Sequence, residues 1–161
     1  MKASSQHLPV LDFLKKQITG TLSAGQTTHL RYPTAISALL GFKLIAIGEA
    51  MATLEFEADS VKHGNQQGTV HGGILAELAD AAVGTAHSTL IQPATSFTSI
   101  ELSISFLRPV WQARLRAHAW ATYRGRTISH YRCDIQREDG MTVATATSIV
   151  MTLTQDRTEG R

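Results

Sequence analysis

Apolar residues repeat with two different periods along the chain, and the change of period marks its predicted elements. Residues 42–58 alternate apolar and polar side chains, which predicts a half-buried strand, or two strands joined at residues 48–49. The same alternation runs through residues 94–154. Glycine-containing turns at residues 124–126 and 139–140 divide that stretch into strands with short connections. The pattern therefore predicts about five strands in an antiparallel sheet.

Three other segments have helical spacing. The longest, at about residues 73–87, is mostly Ala, Leu, Glu and Asp, contains no proline, and has one broad apolar stripe. Shorter helices are predicted at residues 8–19, which is amphipathic, and at residues 35–40, with Pro33 at the first turn. The segments without a period are 1–6, a frayed end, 20–32, a loop, 59–67, a polar loop, and 155–161, a charged tail. Together these elements predict an α+β fold with the long helix on one face of the sheet.

A glycine pair lies where the long helix begins. The amides of Gly72 and Gly73 are among the first N–H groups of the helix, which have no partner within it. With the positive end of the helix dipole they form a donor site for a carbonyl oxygen that becomes an oxyanion. Glycine also lets a ligand atom approach this backbone without meeting a Cβ.

Two carboxylates, Glu77 and Asp80, lie further along the same helix, and an unpaired buried carboxylate is costly. Asp80 comes eight residues after Gly72, which places it roughly 12 Å further along the axis. One helix therefore cannot aim both groups at one ester or thioester carbon. If both act on the same bond, one of them comes from another copy of the helix. This predicts a two-fold dimer with two composite sites.

The motif around this helix resembles that of the PaaI-type hotdog-fold acyl-CoA thioesterases. Its parts are Asn65-x-x-Gly68-Thr69-x-His71-Gly72-Gly73, Leu78-Ala79-Asp80, the strand Ser99–Pro109 and the upstream Leu39-Leu40-Gly41-Phe42. The resemblance covers about residues 33–154. It implies a hotdog, in which an antiparallel sheet wraps around the central helix at about residues 73–87. It also implies a single domain over residues 1–161, with a helical extension over about residues 1–32.

The resemblance implies roles for five residues, each with a simpler alternative. Asp80 corresponds to the family's nucleophile or general base for water; the alternative is a solvent-facing carboxylate. Gly72 corresponds to the backbone donor of the oxyanion hole, a role compatible with that of a helix-start glycine. Asn65 would orient water or the carbonyl, or would only form a turn. His71 has three possible roles, of which we rank loop-fixing hydrogen bonds above a carbonyl contact and acid–base work. Ser99 would hold water beside the acid, or would face solvent on an alternating strand.

Further residues are assigned to substrate binding. Gly73 shares the donor site with Gly72, and Thr98 is the fallback for Ser99. Glu77 is three residues before Asp80 and could divide acid and base roles with it, although a bond to a loop or to a dimer partner is favoured. Three arginines are candidates for the coenzyme A phosphates, with ordinary solvation as the alternative, namely Arg108, Arg124 and Arg126.

Composition excludes several other functions. The net charge of the 161 residues is +2, and no basic run suggests nucleic-acid binding. One cysteine, Cys133, excludes an internal disulfide and favours a reducing compartment, and the absence of a spanning segment or leader predicts a cytoplasmic protein. Neither a Gly-x-Ser-x-Gly elbow nor a phosphate-binding loop is present, and histidine spacing indicates no metal site.

We therefore expect an enzyme, a thioesterase that hydrolyses an acyl-CoA or aryl-acyl-CoA to the carboxylic acid and free coenzyme A. No cofactor is expected beyond the coenzyme A of the substrate. The resemblance implies a homodimer, or a dimer of dimers (a homotetramer), with active sites at the subunit interface. One alternative is a non-catalytic acyl-CoA-binding hotdog module, which would lack the acid. A lower-ranked alternative, an enoyl-thioester hydratase, requires an Asp and a His on a different loop pattern.

Overall fold

A computed structural model describes residues 6–154, and a six-stranded antiparallel sheet forms its framework. The strands are β1 (Gln6–His7), β2 (Gln26–Thr27), β3 (Lys43–Gly48), β4 (Met51–Asp59), β5 (Ser96–Phe106), β6 (Gln112–Arg124), β7 (Ile128–Arg137) and β8 (Thr142–Leu153). The sheet has the order β3-β4-β6-β7-β8-β5, while β1 and β2 form a separate parallel pair. Strands β3 and β5 are therefore the two edges of the main sheet.

The helices are α1 (Val10–Thr19), α2 (Ala35–Leu40), α3 (Ser60–His63) and α4 (Gly72–Ser88). The long helix α4 packs against β4, β5, β6, β7 and β8, so the sheet curves around it. This arrangement confirms the predicted α+β fold and its hotdog form, and the predicted central helix is correct to within one residue at each end. No helix within residues 6–154 combines the length and the apolar character that crossing a membrane requires.

Small side chains allow α4 to approach the sheet closely. Ala79, Ala82 and Ala86 on the helix are fully buried, and Ala117 and Ala119 on β6 are buried opposite them in the core. Successive side chains of a strand point to opposite faces of the sheet. On β6, accordingly, every second side chain up to Ala119 is buried. The polar residues between them form the outer face of the sheet, where Arg114 and Arg116 pair with glutamates of β4.

Several local predictions need correction. The sheet has six strands and not about five, because residues 42–58 form two strands, the second of the predicted alternatives, joined by a turn at Glu49 and Ala50. The polar loop before α4 contains the single helical turn α3, whose N-cap is Asp59. Pro33 lies outside α2, because Thr34 is its N-cap and accepts the Ser37 N–H at 3.2 Å.

The N-terminal region is more ordered than its sequence suggests. Gln6, predicted to be frayed, and part of the 20–32 loop form the β1–β2 pair, and α1 begins at Val10. Helix α1 packs against β3 and buries Leu14. The remaining part of the predicted frayed end, residues 1–5, and the predicted charged tail, residues 155–161, lie outside the described residues.

Candidate active site

The first turn of α4 has one backbone N–H group without a hydrogen-bond partner among residues 6–154. His71 is the N-cap, and its Nδ1 accepts the Gly73 N–H at 2.8 Å. The Gly72 N–H donates to no acceptor within residues 6–154. A Cβ on Gly73 would lie 2.9 Å from the His71 Nδ1, so glycine permits this cap. The loop-fixing position of His71 and the free amide of Gly72 thus arise from the same turn.

Asn65 stabilises the loop that leads into this turn. Its Oδ1 accepts the backbone N–H groups of Gln67 and Thr69 at 2.9 and 3.2 Å, and its Nδ2 donates to Thr69 Oγ1 at 3.0 Å. Gly68 completes the turn with a φ of 78°, a conformation that favours glycine. In this arrangement the side chain fixes the loop, and one hydrogen of the Asn65 amide remains available to a ligand.

Asp80 is paired with the edge strand of the sheet. Ser99 Oγ donates to Asp80 Oδ1 at 2.9 Å. A β-bulge makes this contact possible, because Ser99 and Glu101 pair with consecutive residues of β8 and Ile100 has no partner. Without the extra residue, Ser99 would face the side of the sheet opposite to Leu102, which packs on the core. The bulge therefore turns Ser99 towards the helix.

Glu77 lies on the same side of α4 as Asp80. Burial, and then the negative charge of Asp80, raise the pKa of the Glu77 carboxyl above its ordinary value. Within residues 6–154 it has neither an ion pair nor a hydrogen bond, so nothing there offsets these two effects. A carboxyl with a raised pKa keeps its proton to higher pH, which suits a group that donates a proton.

The acid and the free amide open into different depressions of one protomer. Asp80 and Ser99 line an open depression of about 420 Å³ beside the β5 edge. Gly72 and Asn65 line another, of about 400 Å³, together with Arg108. One chain does not bring these two groups together, in agreement with the axial separation of the two positions.

A third, more apolar pocket of about 290 Å³ begins at Asp80 and Glu77 and continues beneath α2. Sequence reasoning did not assign its lining residues, which include Tyr32, Ile36, Gly84, Thr85 and Phe97. The available signal was the run of small residues on one face of α4 that also carries the two acids. Most residues on that face are only partly buried, so the small side chains leave space for a ligand.

The other predicted binding residues are spread around the molecule. Arg108 donates to the Thr142 carbonyl at 2.6 Å and lies beside Gly72. Arg124 forms an ion pair with Glu49, and Arg126 lies at the tip of the β6–β7 hairpin. By register Arg124 is three strands away from Ser99, so this protomer does not bring it near Asp80. Thr98 Oγ1 donates to the Ser99 carbonyl at 3.4 Å and forms no hydrogen bond to Asp80.

A buried histidine lies at the other end of α4. His87 Nδ1 is 3.0 Å from the Tyr131 hydroxyl, and Nε2 is 3.0 Å from Thr152 Oγ1. Burial lowers the pKa of His87 to about 4 and raises the pKa of Tyr131 to about 12. Both groups are therefore uncharged near neutral pH. Their hydrogen bonds join the helix α4 to strands β7 and β8. Among residues 6–154, no three His, Cys, Asp or Glu side chains are arranged to hold a metal ion.

Part of the chain is similar in sequence to known thioesterases. Residues 67–144 match the family model of the thioesterase superfamily. The medium/long-chain acyl-CoA thioesterase YigI of Salmonella typhimurium is 28% identical over 134 residues, which cover 74% of this chain and 86% of YigI. The matched region contains Gly72, Asp80 and Ser99.

Solved structures give the same result. A mutant of the phenylacetic acid degradation protein PaaI from Thermus thermophilus is 28% identical, with a TM-score of 0.67, and the match covers 72% of this chain and 96% of that one. The E. coli PaaI protein is 26% identical, with a TM-score of 0.68, and the match covers 74% and 84%. A thioesterase of Haemophilus influenzae, 20% identical, shares the fold with a TM-score of 0.72 over 79% of this chain and 88% of that one.

Proposed function

We propose that this chain, whose residues 67–144 match the model of the thioesterase superfamily, hydrolyses acyl-CoA thioesters at a site centred on Asp80. The observation that carries this proposal is the Asp80–Ser99 pair at the mouth of an apolar pocket. A carboxylate at such a mouth meets the thioester carbon when the acyl group enters the pocket. Coenzyme A arrives as part of the substrate, and no other cofactor is proposed.

The reaction adds water across the thioester C–S bond. Asp80 takes a proton from water as the oxygen attacks the carbonyl carbon, or its own oxygen attacks first and water then cleaves the resulting anhydride. Ser99 positions the carboxylate in either route. The sulfur leaves as a thiolate and takes up a proton, and Glu77, which lines the same depression as Asp80 and has a raised pKa, is proposed as its donor. The products are a carboxylic acid and free coenzyme A.

We propose that the oxyanion donor, the Gly72 N–H, comes from a second copy of the chain. Strand β5 supports this, since it is an eleven-residue edge strand whose outer side has no neighbour within residues 6–154. Such an edge is a template for pairing with another strand. Ile100 is 50% exposed on it, next to the depression that holds Asp80. A two-fold pairing of two β5 edges would cover this residue and bring the second protomer to the acid.

The substrate is proposed to be a medium- to long-chain acyl-CoA. This class is the one named for YigI, and an apolar pocket next to the acid suits an aliphatic chain. Arg108 is the nearest of the three candidate arginines to the Gly72 amide and is assigned to the coenzyme A phosphates. A cytoplasmic location is part of the proposal, because the only cysteine is buried and unpaired.

Thiol release from a series of acyl-CoAs tests the proposal. The purified chain is incubated with acetyl-, hexanoyl-, decanoyl-, palmitoyl- and phenylacetyl-CoA, and free thiol is followed with a chromogenic reagent. We expect catalytic release from the medium and long aliphatic chains. Absence of release from all five, with acyl-CoA still raising the melting temperature, would overturn hydrolysis and indicate a binding module.

A further inference from the structure

We infer that Tyr32 closes the far end of the acyl pocket and limits the length of the chain that this protein accepts. The inference rests on the proposed function, since it assigns the apolar pocket to the acyl group of the thioester. It adds a specificity-determining residue in the segment that leads into α2. It also gives α1 a role, as the cover of a second cavity beyond Tyr32.

One face of α4 forms the floor of the pocket. Glu77, Asp80, Ala81, Gly84, Thr85 and Ser88 recur every three or four residues and all line it. The acids are at one end, and beyond them the residues are small. A Cβ on Gly84 would have Phe97 as its nearest neighbour, at 3.8 Å, which leaves open space towards the pocket. The floor is therefore a shallow channel that leads from the acid towards Ser88.

Tyr32 closes this channel. Its hydroxyl donates to Ser88 Oγ at 2.5 Å, and Ser88 Oγ donates to the Thr85 carbonyl at 2.6 Å. The Tyr32 ring packs on Phe13 of α1, with 6.3 Å between the ring centres. Burial raises the pKa of Tyr32, so its hydroxyl keeps the proton that it donates to Ser88. The side chain is thus held at both ends.

A second cavity, of about 360 Å³, lies on the other side of Tyr32. Leu14 and Ile18 of α1 line it together with Phe42, Leu44 and Leu54 of the hotdog body. It shares Tyr32, Thr34, Ser37 and Thr85 with the pocket that begins at Asp80. The two cavities are therefore neighbours, and Tyr32 is the largest of the four residues in their common wall.

The distance from the acid to this wall sets the chain length. Ser88 is eight residues beyond Asp80, roughly 12 Å along the helix at 1.5 Å per residue. An extended chain covers about 1.2 Å per bond, since the three backbone bonds of an extended residue span roughly 3.5 Å. The channel therefore accepts an acyl chain of about ten carbons. Longer chains must displace Tyr32 and enter the cavity under α1.

The two sides of Asp80 suit the two parts of the substrate. The depression that contains Ser99 is open to solvent and also carries Glu101, which suits the polar pantetheine arm. The pocket beneath α2 is more enclosed and includes Ile36 and Phe97, which favours removal of an aliphatic chain from water. The acyl group is accordingly assigned to the α2 side.

Substitutions at the wall and on the floor test the inference separately. Tyr32→Ala removes the wall, and Tyr32→Phe keeps the ring but removes the hydrogen bond to Ser88. Gly84→Leu fills the channel near the acid, and Gly84→Ala is its control, because one methyl group fits there. For each variant, kcat/KM is measured for acyl-CoAs of 2 to 16 carbons, and a thermal melt checks folding.

We expect the wild type to prefer about ten carbons. Tyr32→Ala should raise the ratio of kcat/KM for C16 acyl-CoA to kcat/KM for C8 acyl-CoA about tenfold. Gly84→Leu should raise the ratio of kcat/KM for C4 acyl-CoA to kcat/KM for C8 acyl-CoA by a similar factor. Tyr32→Phe and Gly84→Ala should keep the wild-type profile. An unchanged profile in both Tyr32→Ala and Gly84→Leu would overturn the inference, as would a uniform loss at all lengths in a folded Gly84→Leu. If Tyr32→Ala fails to fold, the comparison of Gly84→Leu with Gly84→Ala tests the inference.

Failure of the proposed function is distinguishable from failure of this inference. If the wild type hydrolyses no thioester, the same series is measured by the shift in melting temperature that each acyl-CoA produces. A binding profile that moves to longer chains in Tyr32→Ala and to shorter chains in Gly84→Leu would support the pocket without hydrolysis. A binding profile that is independent of both substitutions would overturn it.

Discussion

Ser99 Oγ donates a hydrogen bond of 2.9 Å to Asp80 Oδ1, and this bond joins the edge strand β5 to the central helix. It depends on a single extra residue, since the bulge at Ile100 turns Ser99 to the face that carries the core residues Leu102 and Ile104. Bulges commonly re-aim a side chain next to a functional site. The acid of this protein is therefore oriented by an irregularity of the sheet.

Ser99→Ala tests whether that orientation matters for turnover. We expect kcat to fall about tenfold while KM is unchanged, because a hydrogen bond to a charged group contributes about 1.5 kcal/mol and Ser99 acts through Asp80. Ser99→Thr keeps the hydroxyl and should restore most of kcat. A normal kcat in Ser99→Ala, or a change confined to KM, would assign Ser99 to substrate contact or to no role.

His71 is expected to act as a helix cap. His71→Asn replaces one cap with another, whereas His71→Ala removes the acceptor for the Gly73 N–H. The Ala variant should lose about 1 kcal/mol of unfolding free energy, a decrease in Tm of about 2–4 °C, and the Asn variant should lose little. Both should retain turnover. A stable Asn variant with no turnover would instead assign His71 to acid–base work.

Mixed dimers test whether each site combines two chains. Gly72→Pro removes the backbone N–H at a position where helices tolerate proline. Gly72→Ala is its control, because it keeps the N–H while its Cβ, like that of proline, would lie 2.9 Å from the Phe106 ring and displace it. We expect Asp80→Asn and Gly72→Pro each to be inactive alone. If the two variants are unfolded together and refolded, one site in each mixed dimer is intact, so about a quarter of the wild-type activity should return. Activity that stays at the level of the separate variants would contradict the composite site.

The pH dependence of stability should reflect His87. Burial lowers its pKa to about 4 in the folded chain, while an unfolded histidine titrates near 6.5. Between these values the unfolded state binds the additional proton, so the unfolding free energy should fall as pH drops from about 6.5 to about 4, by up to about 3 kcal/mol.

His87→Gln offers the control, because glutamine carries no titrating proton and can bond Tyr131 and Thr152. Denaturant melts of the two proteins should converge as pH falls through this window. Parallel curves at all pH values would show that His87 does not contribute to the pH dependence.

Much of this structure could be predicted from the sequence, because periodicity reports which face of an element is buried. The alternation over β6 and the glycine pair before Ile74 were sufficient to locate the sheet and the start of α4. The spacing of Gly72 and Asp80 also predicts that one helix cannot carry a complete site, and this stays a prediction. These features depend on local spacing, which a single sequence contains.

The bulge and the acyl pocket could not be predicted in the same way. Ile100 is apolar and fits the alternation, so nothing in the sequence marks it as the unpaired residue. Tyr32 lies 56 residues before Ser88, and their contact depends on the placement of α2 over α4. Both features are set by tertiary packing. Roles that need a bound substrate or a second chain, such as those of Arg108 and Asn65, stay predictions.

Asp80→Asn measures the central claim most directly. The substitution keeps the size of the side chain and removes the charge, so the variant should fold and should bind acyl-CoA as the wild type does. We expect thiol release from the preferred acyl-CoA to fall by about 10²- to 10⁴-fold, with the ligand-induced shift in melting temperature preserved. Near-normal release from a folded Asp80→Asn variant would contradict catalysis by this carboxylate.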